Sequence, residues 1–181
     1  MIFQIDYQSG GLYDSYFEAN KPIITSLDHK VFGDSEIDTF LIDYGYYDLF
    51  HSKKVADVHM YAEKPIKCAL LRLMILYELG GVYVDADVTF TDEVVSLEKD
   101  LNKYGNRNVV LSNRSLYFIK GVSKSKFIKY MMDLYLNSDY MVTDTVMNKK
   151  HELSMFHKEL MIIPPDSLSK YFLHSFTHNM Q

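Results

Sequence analysis

Cysteine is nearly absent from this sequence of 181 residues, because Cys68 is the only one. One cysteine excludes an intramolecular disulfide, and a lone buried thiol fits a reducing compartment. A membrane span needs roughly 18 uncharged apolar residues, but Arg72 interrupts the longest apolar stretch, 68–77. The first residues lack a basic start and a long apolar run, which argues against a signal peptide. We therefore expect a cytoplasmic protein with no membrane span.

Positive charge is also scarce, since 19 Lys and Arg face 24 Asp and Glu and the formal net charge is −5. Without a long basic run, no nucleic-acid partner is expected. The sequence has no GxGxxG, P-loop or HRD motif, which argues against the common phosphotransfer enzymes. It does have 48% hydrophobic residues, enough for the core of a single domain spanning 1–181.

Alternating strand and helix patterns predict an α/β fold with a mostly parallel central sheet flanked by helices. A run of apolar residues bounded by acids or turn residues predicts a buried strand, and 3.6-residue periodicity predicts a helix. The predicted strands are 1–7, 39–43, 81–84, 88–90, 109–112, 116–119 and 160–163. The predicted helices are 12–27, 65–79 and 124–136, with one or two short helices within 44–60.

The most informative segment is 67–90, KCALLRLMILYELGGVYVDADVTF. A buried helix ends at Gly80, a short apolar strand follows, and Asp85 and Asp87 come directly after that strand. Ligands of open α/β sheets bind at the carboxyl ends of strands, and in an extended chain residues two apart share a face. Two carboxylates so placed suit Mg²⁺ or Mn²⁺, and the cation can bridge a diphosphate.

Arg72 interrupts a helix that is otherwise nearly all apolar. A buried guanidinium needs a carboxylate, a phosphate or a sugar oxygen as its partner. Two interpretations stay open at this point: Arg72 contacts a ligand, or it forms a structural ion pair with Asp85. The acid pair likewise either binds a cation or forms a solvated turn. The order of helix, Gly-Gly turn, strand and D-x-D favours the functional interpretation.

In these residues, segment 67–90 resembles the DxD sugar-binding glycosyltransferases of the GT-A fold. That family includes yeast initiating mannosyltransferases, bacterial capsular sugar transferases and, more distantly, clostridial glucosylating toxins. Its pattern, roughly S-D-x-x-R-x-x-x-L-Y-x-x-G-G-x-Y-x-D-x-D, is matched in spacing by Arg72, Leu76, Tyr77, Gly80, Gly81, Tyr83, Asp85 and Asp87. Ala69 stands where the family has an acid, which leaves the donor sugar open.

Weaker similarities lie at both ends of the chain. Residues 2–6, IFQID, resemble the family's opening I-H-Q-I-W through Gln4 and Ile5. Near the C-terminus, His174 and Phe176 match part of a final H-x-[FW]-x-x-S-W motif. Asn113 sits where family members often have a substrate-binding Asn. Together these similarities cover nearly the whole chain and imply one GT-A-like catalytic domain, either complete or part of a longer protein.

The resemblance implies Mn²⁺ or Mg²⁺ as cofactor and a nucleotide-sugar as co-substrate. Asp87 is expected to bind the metal directly, and Asp85 to bind metal or ribose. His174 is the candidate for a further metal or diphosphate ligand, with His178 as the second candidate. The donor is expected to contact Gln4, Ile5, Arg72, Tyr83, Asp85 and Asn113, of which Gln4 and Ile5 line the base pocket.

The expected reaction moves a sugar from a nucleoside diphosphate sugar, with UDP favoured over GDP, to a hydroxyl of a glycan or protein-linked acceptor. A viral or bacterial surface glycan, on a capsid or capsule, is the acceptor that analogy suggests. Arg72, Asp85 and Asp87 are the catalytic candidates, with retention of configuration. An inverting enzyme needs a base, for which Asp144 is the candidate. Two alternatives are a catalytically silent sugar-nucleotide-binding or scaffold domain and another metal-dependent phosphotransfer enzyme.

Overall fold

The computed structural model describes residues 1–53, 63–104, 107–112, 117–137 and 153–174, without the side chains of residues 104, 165 and 174. The strands are β1 Ile2–Asp6, β2 His29–Gly33, β3 Gly81–Val84, β4 Val88–Phe90, β5 Val109–Ser112, β6 Phe118–Gly121, β7 Leu160–Ile163 and β8 Phe172–His174. The α-helices are α1 Asp14–Ile24, α2 Asp34–Asp43, α3 Tyr47–Ser52, α4 Glu63–Leu79, α5 Leu97–Leu101 and α6 Lys126–Asn137. Short 3-10 helices span Asp92–Ser96, Asn102–Tyr104 and Pro165–Leu168.

Six of these strands form the central sheet, in the order β2-β1-β3-β6-β5-β7. β1 runs parallel to both β2 and β3, and β5 runs parallel to β7. β6 is antiparallel to β3 and β5, so it alone reverses direction. β4 and β8 form a separate two-stranded antiparallel sheet. The fold is thus α/β with a mostly parallel central sheet, as the alternating pattern predicted.

The two faces of the central sheet bury two apolar clusters. One cluster joins α2, α4 and α6 to the face that carries Phe3 and Ile5 of β1. The other joins β4, β8 and the helices of 92–101 to the opposite face, through Ile2 and Val84. This division follows from strand geometry, because successive side chains of a strand point to opposite faces.

α4 is the most buried helix of the described chain, with its residues 66–67 and 69–76 all buried. It starts two residues before Pro65, which lies in the first turn, where the missing N–H of proline has no helical partner to lose. Its 17 residues nevertheless do not make a membrane span, and no other helix in the described ranges is long and apolar enough to do so.

Most predicted elements are confirmed, but the predicted strand 39–43 is wrong. These residues form the second half of α2, because Ile37, Phe40 and Leu41 bury one helical face at spacings of three and four. The strand β2 was not predicted. Only Phe32 of its five residues is fully buried, since β2 lies at the edge of the sheet, and Val31 is its only other apolar side chain. Residues 54–60 and 116 of the predicted elements lie outside the described ranges.

Candidate functional site

The Gly80-Gly81 turn directs the chain from α4 into β3. Gly80 has φ +68° and Gly81 has φ +112°, backbone conformations that L side chains rarely adopt. A Cβ on Gly81 would lie 2.7 Å from the carbonyl oxygen of Met1. This close approach lets Val82 N–H donate to the same carbonyl oxygen at 3.0 Å. The two glycines therefore set β3 beside β1, with the carboxyl ends of both strands at one edge of the sheet.

The two predicted acids lie at that edge, immediately after β3. β3 ends at Val84, and Ala86 and Asp87 form a turn before β4 begins. The segment is therefore not extended, although the expectation that Asp85 and Asp87 share a face assumed an extended chain. The exposure pattern still alternates: Asp85 and Asp87 are partly exposed, while Ala86 between them is buried. Both carboxylates are therefore partly accessible at the end of a buried strand.

A buried cluster of Arg72 and Tyr83 orients Asp85. The Tyr83 hydroxyl donates a hydrogen bond of 2.6 Å to Asp85 Oδ1, and an Arg72 terminal nitrogen lies 3.9 Å from the same oxygen. The guanidinium also lies over the Tyr83 ring, 5.4 Å from its centre. Burial, followed by the negative charge of Asp85, raises the pKa of Tyr83 well above its ordinary value. Tyr83 therefore stays a neutral hydrogen-bond donor to Asp85.

Arg72 keeps its charge inside this cluster even though only 8% of it is exposed. Burial alone lowers its pKa, but the nearby Tyr83 and Asp85 and a hydrogen bond with Tyr135 raise it above the ordinary value. The structural ion pair between Arg72 and Asp85, one of the two interpretations of Arg72, is thus present, with a long distance of 3.9 Å. Contact between Arg72 and the donor stays a prediction.

Gln4 fixes the backbone at the start of the acid pair. Its side chain is fully buried, and Nε2 donates to the carbonyl oxygen of Asp85 at 2.9 Å. Its Oε1 lies 3.1 Å from Nε2 of His29, which therefore acts as the donor. Burial lowers the pKa of His29. The amide of Gln4 is thus engaged within the protein at both ends, while its predicted contact and that of the buried Ile5 with a base stay predictions.

Asn20 of α1 is a site residue that we did not predict from the sequence. It is fully buried, its Nδ2 donates to the carbonyl oxygen of Val88 at 2.9 Å, and its Oδ1 accepts from the Phe90 N–H at 2.7 Å. A signal was present, because Asn20 lies three residues from both Phe17 and Ile23, apolar residues on the same face of the predicted helix 12–27. His29 was missed because β2 was missed.

Asp6 adds a third carboxylate near this edge of the sheet, and Tyr13 lies close enough to be affected by all three charges. Asp6 ends β1, and its Oδ1 is buried with no hydrogen-bond partner within the described residues. Burial, and then nearby negative charge that includes Asp87, Asp85 and Asp6, raises the pKa of Tyr13. Three carboxylates from two neighbouring strand ends therefore act on one tyrosine.

His174 approaches the acid pair through its backbone. It pairs with Val88, the residue after Asp87, in the sheet of β4 and β8. Its side chain, and the whole of Asn113, Asp144 and His178, lie outside what the structure describes. Among the described side chains, no three His, Cys, Asp or Glu lie close enough together to hold a metal ion.

The fold and this site define an α/β domain with a carboxylate pair at the carboxyl end of a central strand. The family model described as a glycosyltransferase sugar-binding region containing a DXD motif matches residues 14–110, more than half of the 181-residue chain. The chain belongs to this family. The match includes α4, the Gly-Gly turn and the acid pair. No curated protein and no solved structure matches the chain.

Proposed function

We propose that this protein is a metal-dependent glycosyltransferase that takes its sugar from a nucleoside diphosphate sugar, with UDP favoured over GDP. The observation that carries the proposal is the acid pair Asp85 and Asp87, placed at the carboxyl end of β3 in a chain of the DXD family. The acceptor is a hydroxyl of a glycan or of a protein-linked sugar, and a viral or bacterial surface glycan fits by analogy with the family.

The donor atoms at the site fit a hard divalent cation such as Mn²⁺ or Mg²⁺. The nearby acids supply only carboxylate oxygens, which these cations prefer. The family resemblance assigns Asp87 as the direct ligand, with Asp85, whose Oδ1 accepts a hydrogen bond from the Tyr83 hydroxyl, beside it. His174 is the third candidate. When bound, the cation would neutralise negative charge on the diphosphate.

The protein's own groups would orient the donor and stabilise its leaving group. Arg72 holds a permanent positive charge within the low-dielectric cluster, so its field acts on the acid pair and on any diphosphate nearby. The partly exposed carboxylate of Asp85 is held in one orientation by the Tyr83 hydroxyl, which limits the reorganisation needed on binding. We propose retention of configuration, and Asp144 as the acceptor's base if the enzyme inverts.

One observation favours a second function, a sugar-nucleotide-binding domain without transfer activity. Ala69 occupies the position of the family's acid, one turn before Arg72 on α4. Its side chain is 2% exposed and belongs to the apolar cluster. A methyl group there accepts no hydrogen bond from a ribose or sugar hydroxyl, so one donor contact implied by the resemblance is missing.

Calorimetric titration of UDP-sugars and GDP-sugars, with Mn²⁺ and with chelator, tests the site. Wild type should bind one nucleotide only with metal, and Asp87→Ala should lose that binding. Asp48→Ala, which removes an exposed acid of α3, is the matched control and should bind as wild type. Binding that is indifferent to metal and to Asp87 would refute the proposal.

Release of free sugar or transfer to an added acceptor then separates the two functions. A transferase turns over the donor, at least by slow hydrolysis, and Asp87→Ala should abolish that turnover. A silent binding domain would bind the nucleotide with metal but leave the donor intact.

A further inference from the structure

Two fully buried side-chain amides hold the acid pair from its two ends. Gln4 of β1 donates to the carbonyl oxygen of Asp85, where β3 ends. Asn20 of α1 bonds Val88 and Phe90, where β4 begins and ends. Only Ala86 and Asp87 lie between these two anchored points. Side chains of β1 and α1 therefore fix the path of the backbone through the acid pair.

Asn20 bonds β4 in the manner of a neighbouring strand. It donates to the carbonyl oxygen of Val88 and accepts from the N–H of Phe90, two residues further along the strand. Backbone groups of residues two apart in a strand point to the same edge of that strand. Thr89 between them pairs with Leu173 of β8. Both partners of Asn20 are backbone groups, so its amide satisfies a donor and an acceptor that burial would otherwise leave unpaired.

An asparagine at this point of α1 is not explained by helix formation or by core packing. It is the one buried residue of α1, whose apolar residues Ile23 and Ile24 are only partly buried. Asparagine is also a weaker helix former than alanine or leucine. Its amide serves β4, which directly follows Asp87.

We propose that Asn20 is a positioning residue that sets Asp87 at the distance and orientation from Asp85 that cation and nucleotide binding require. This inference rests on the proposed function. It assigns Asn20 no contact with the ligand, since it acts through the backbone of Val88 and Phe90.

The test compares the binding of Mn²⁺ with UDP to wild type, Asn20→Ala and Asn20→Asp by calorimetry, with urea unfolding of each protein. Asn20→Ala removes both hydrogen bonds and should weaken binding by about tenfold, or about 1.4 kcal/mol, which lies within the net contribution of two buried hydrogen bonds. In Asn20→Asp, the protonated acid can reproduce both bonds. Its affinity relative to wild type should therefore recover as the pH is lowered.

Ser125→Ala is the matched control for a general loss of stability. Ser125 is 3% exposed and donates to Glu159 at 3.0 Å, so its replacement removes a partly buried hydrogen bond beside α6. This control should lower stability and leave the affinity for Mn²⁺ with UDP unchanged. If Asn20→Ala loses stability but binds as tightly as wild type, Asn20 is only structural and the inference fails. If wild type itself does not bind, the proposed function fails and the inference with it.

Discussion

Replacing Tyr83 by phenylalanine isolates the hydroxyl that orients Asp85. The substitution removes the hydrogen bond of 2.6 Å to Asp85 Oδ1. It keeps the ring, which lies 5.6 Å from the ring of Phe3 and 5.4 Å from the Arg72 guanidinium. The change therefore leaves the packing and the cation–π contact in place, and only the polar contact is lost.

The expected loss follows from the burial of the two partners. A hydrogen bond to a charged group contributes about 1.5–3 kcal/mol to stability. The Asp85 side chain is 31% exposed, so water can replace part of the contact, and we expect the low end of the range. Tyr83→Phe should thus lower the free energy of unfolding by about 1.5 kcal/mol and the Tm by roughly 3–6 °C. Urea and thermal unfolding followed by circular dichroism measure both quantities.

Tyr7→Phe provides the control for removing a tyrosine hydroxyl from the same core. Tyr7 is 7% exposed, and its hydroxyl makes no hydrogen bond within the described part of the chain. This variant should keep wild-type stability. If Tyr83→Phe is as stable as wild type, or no less stable than Tyr7→Phe, then the hydroxyl does not hold Asp85 and the account of the cluster is refuted.

Two further predictions concern the turn before β3 and the network behind Asp85. Gly81→Ala should lower the free energy of unfolding by more than ~2 kcal/mol, because the new Cβ would meet the Met1 carbonyl and the backbone has φ +112°. Gly45→Ala, with φ +73° and open space around it, should lose only about 1 kcal/mol in the same urea assay. Burial lowers the pKa of His29 below 6.5, so the unfolded state binds the proton first and stability should fall as the pH drops below that value. His29→Gln should remove this part of the loss as the pH falls below about 6.5, and equal pH slopes in both proteins would contradict the assignment.

Local patterns predicted the elements that are buried on a clear period or bounded by strong turn residues. The strands Gly81–Val84, Val109–Ser112 and Leu160–Ile163 have the predicted bounds. β2 and α2 were not predicted correctly, because the edge strand has only two apolar residues and the apolar run TFLID fits either a strand or a helix by composition. The outcome there depends on which neighbours cover the side chains, and a local pattern does not contain that information.

The sequence by itself determined the family and the acid pair, since the spacing of Arg72, Gly80, Gly81, Asp85 and Asp87 is a local property of one helix, one turn and one strand. Only the tertiary structure decided what surrounds that pair. Gln4 lies 81 residues from Asp85, and Asn20 lies 68 residues from Val88. Hydrogen bonds over such distances in sequence depend on the order of the strands and on the packing of α1 against β4, so no periodicity or motif along the chain can reveal them.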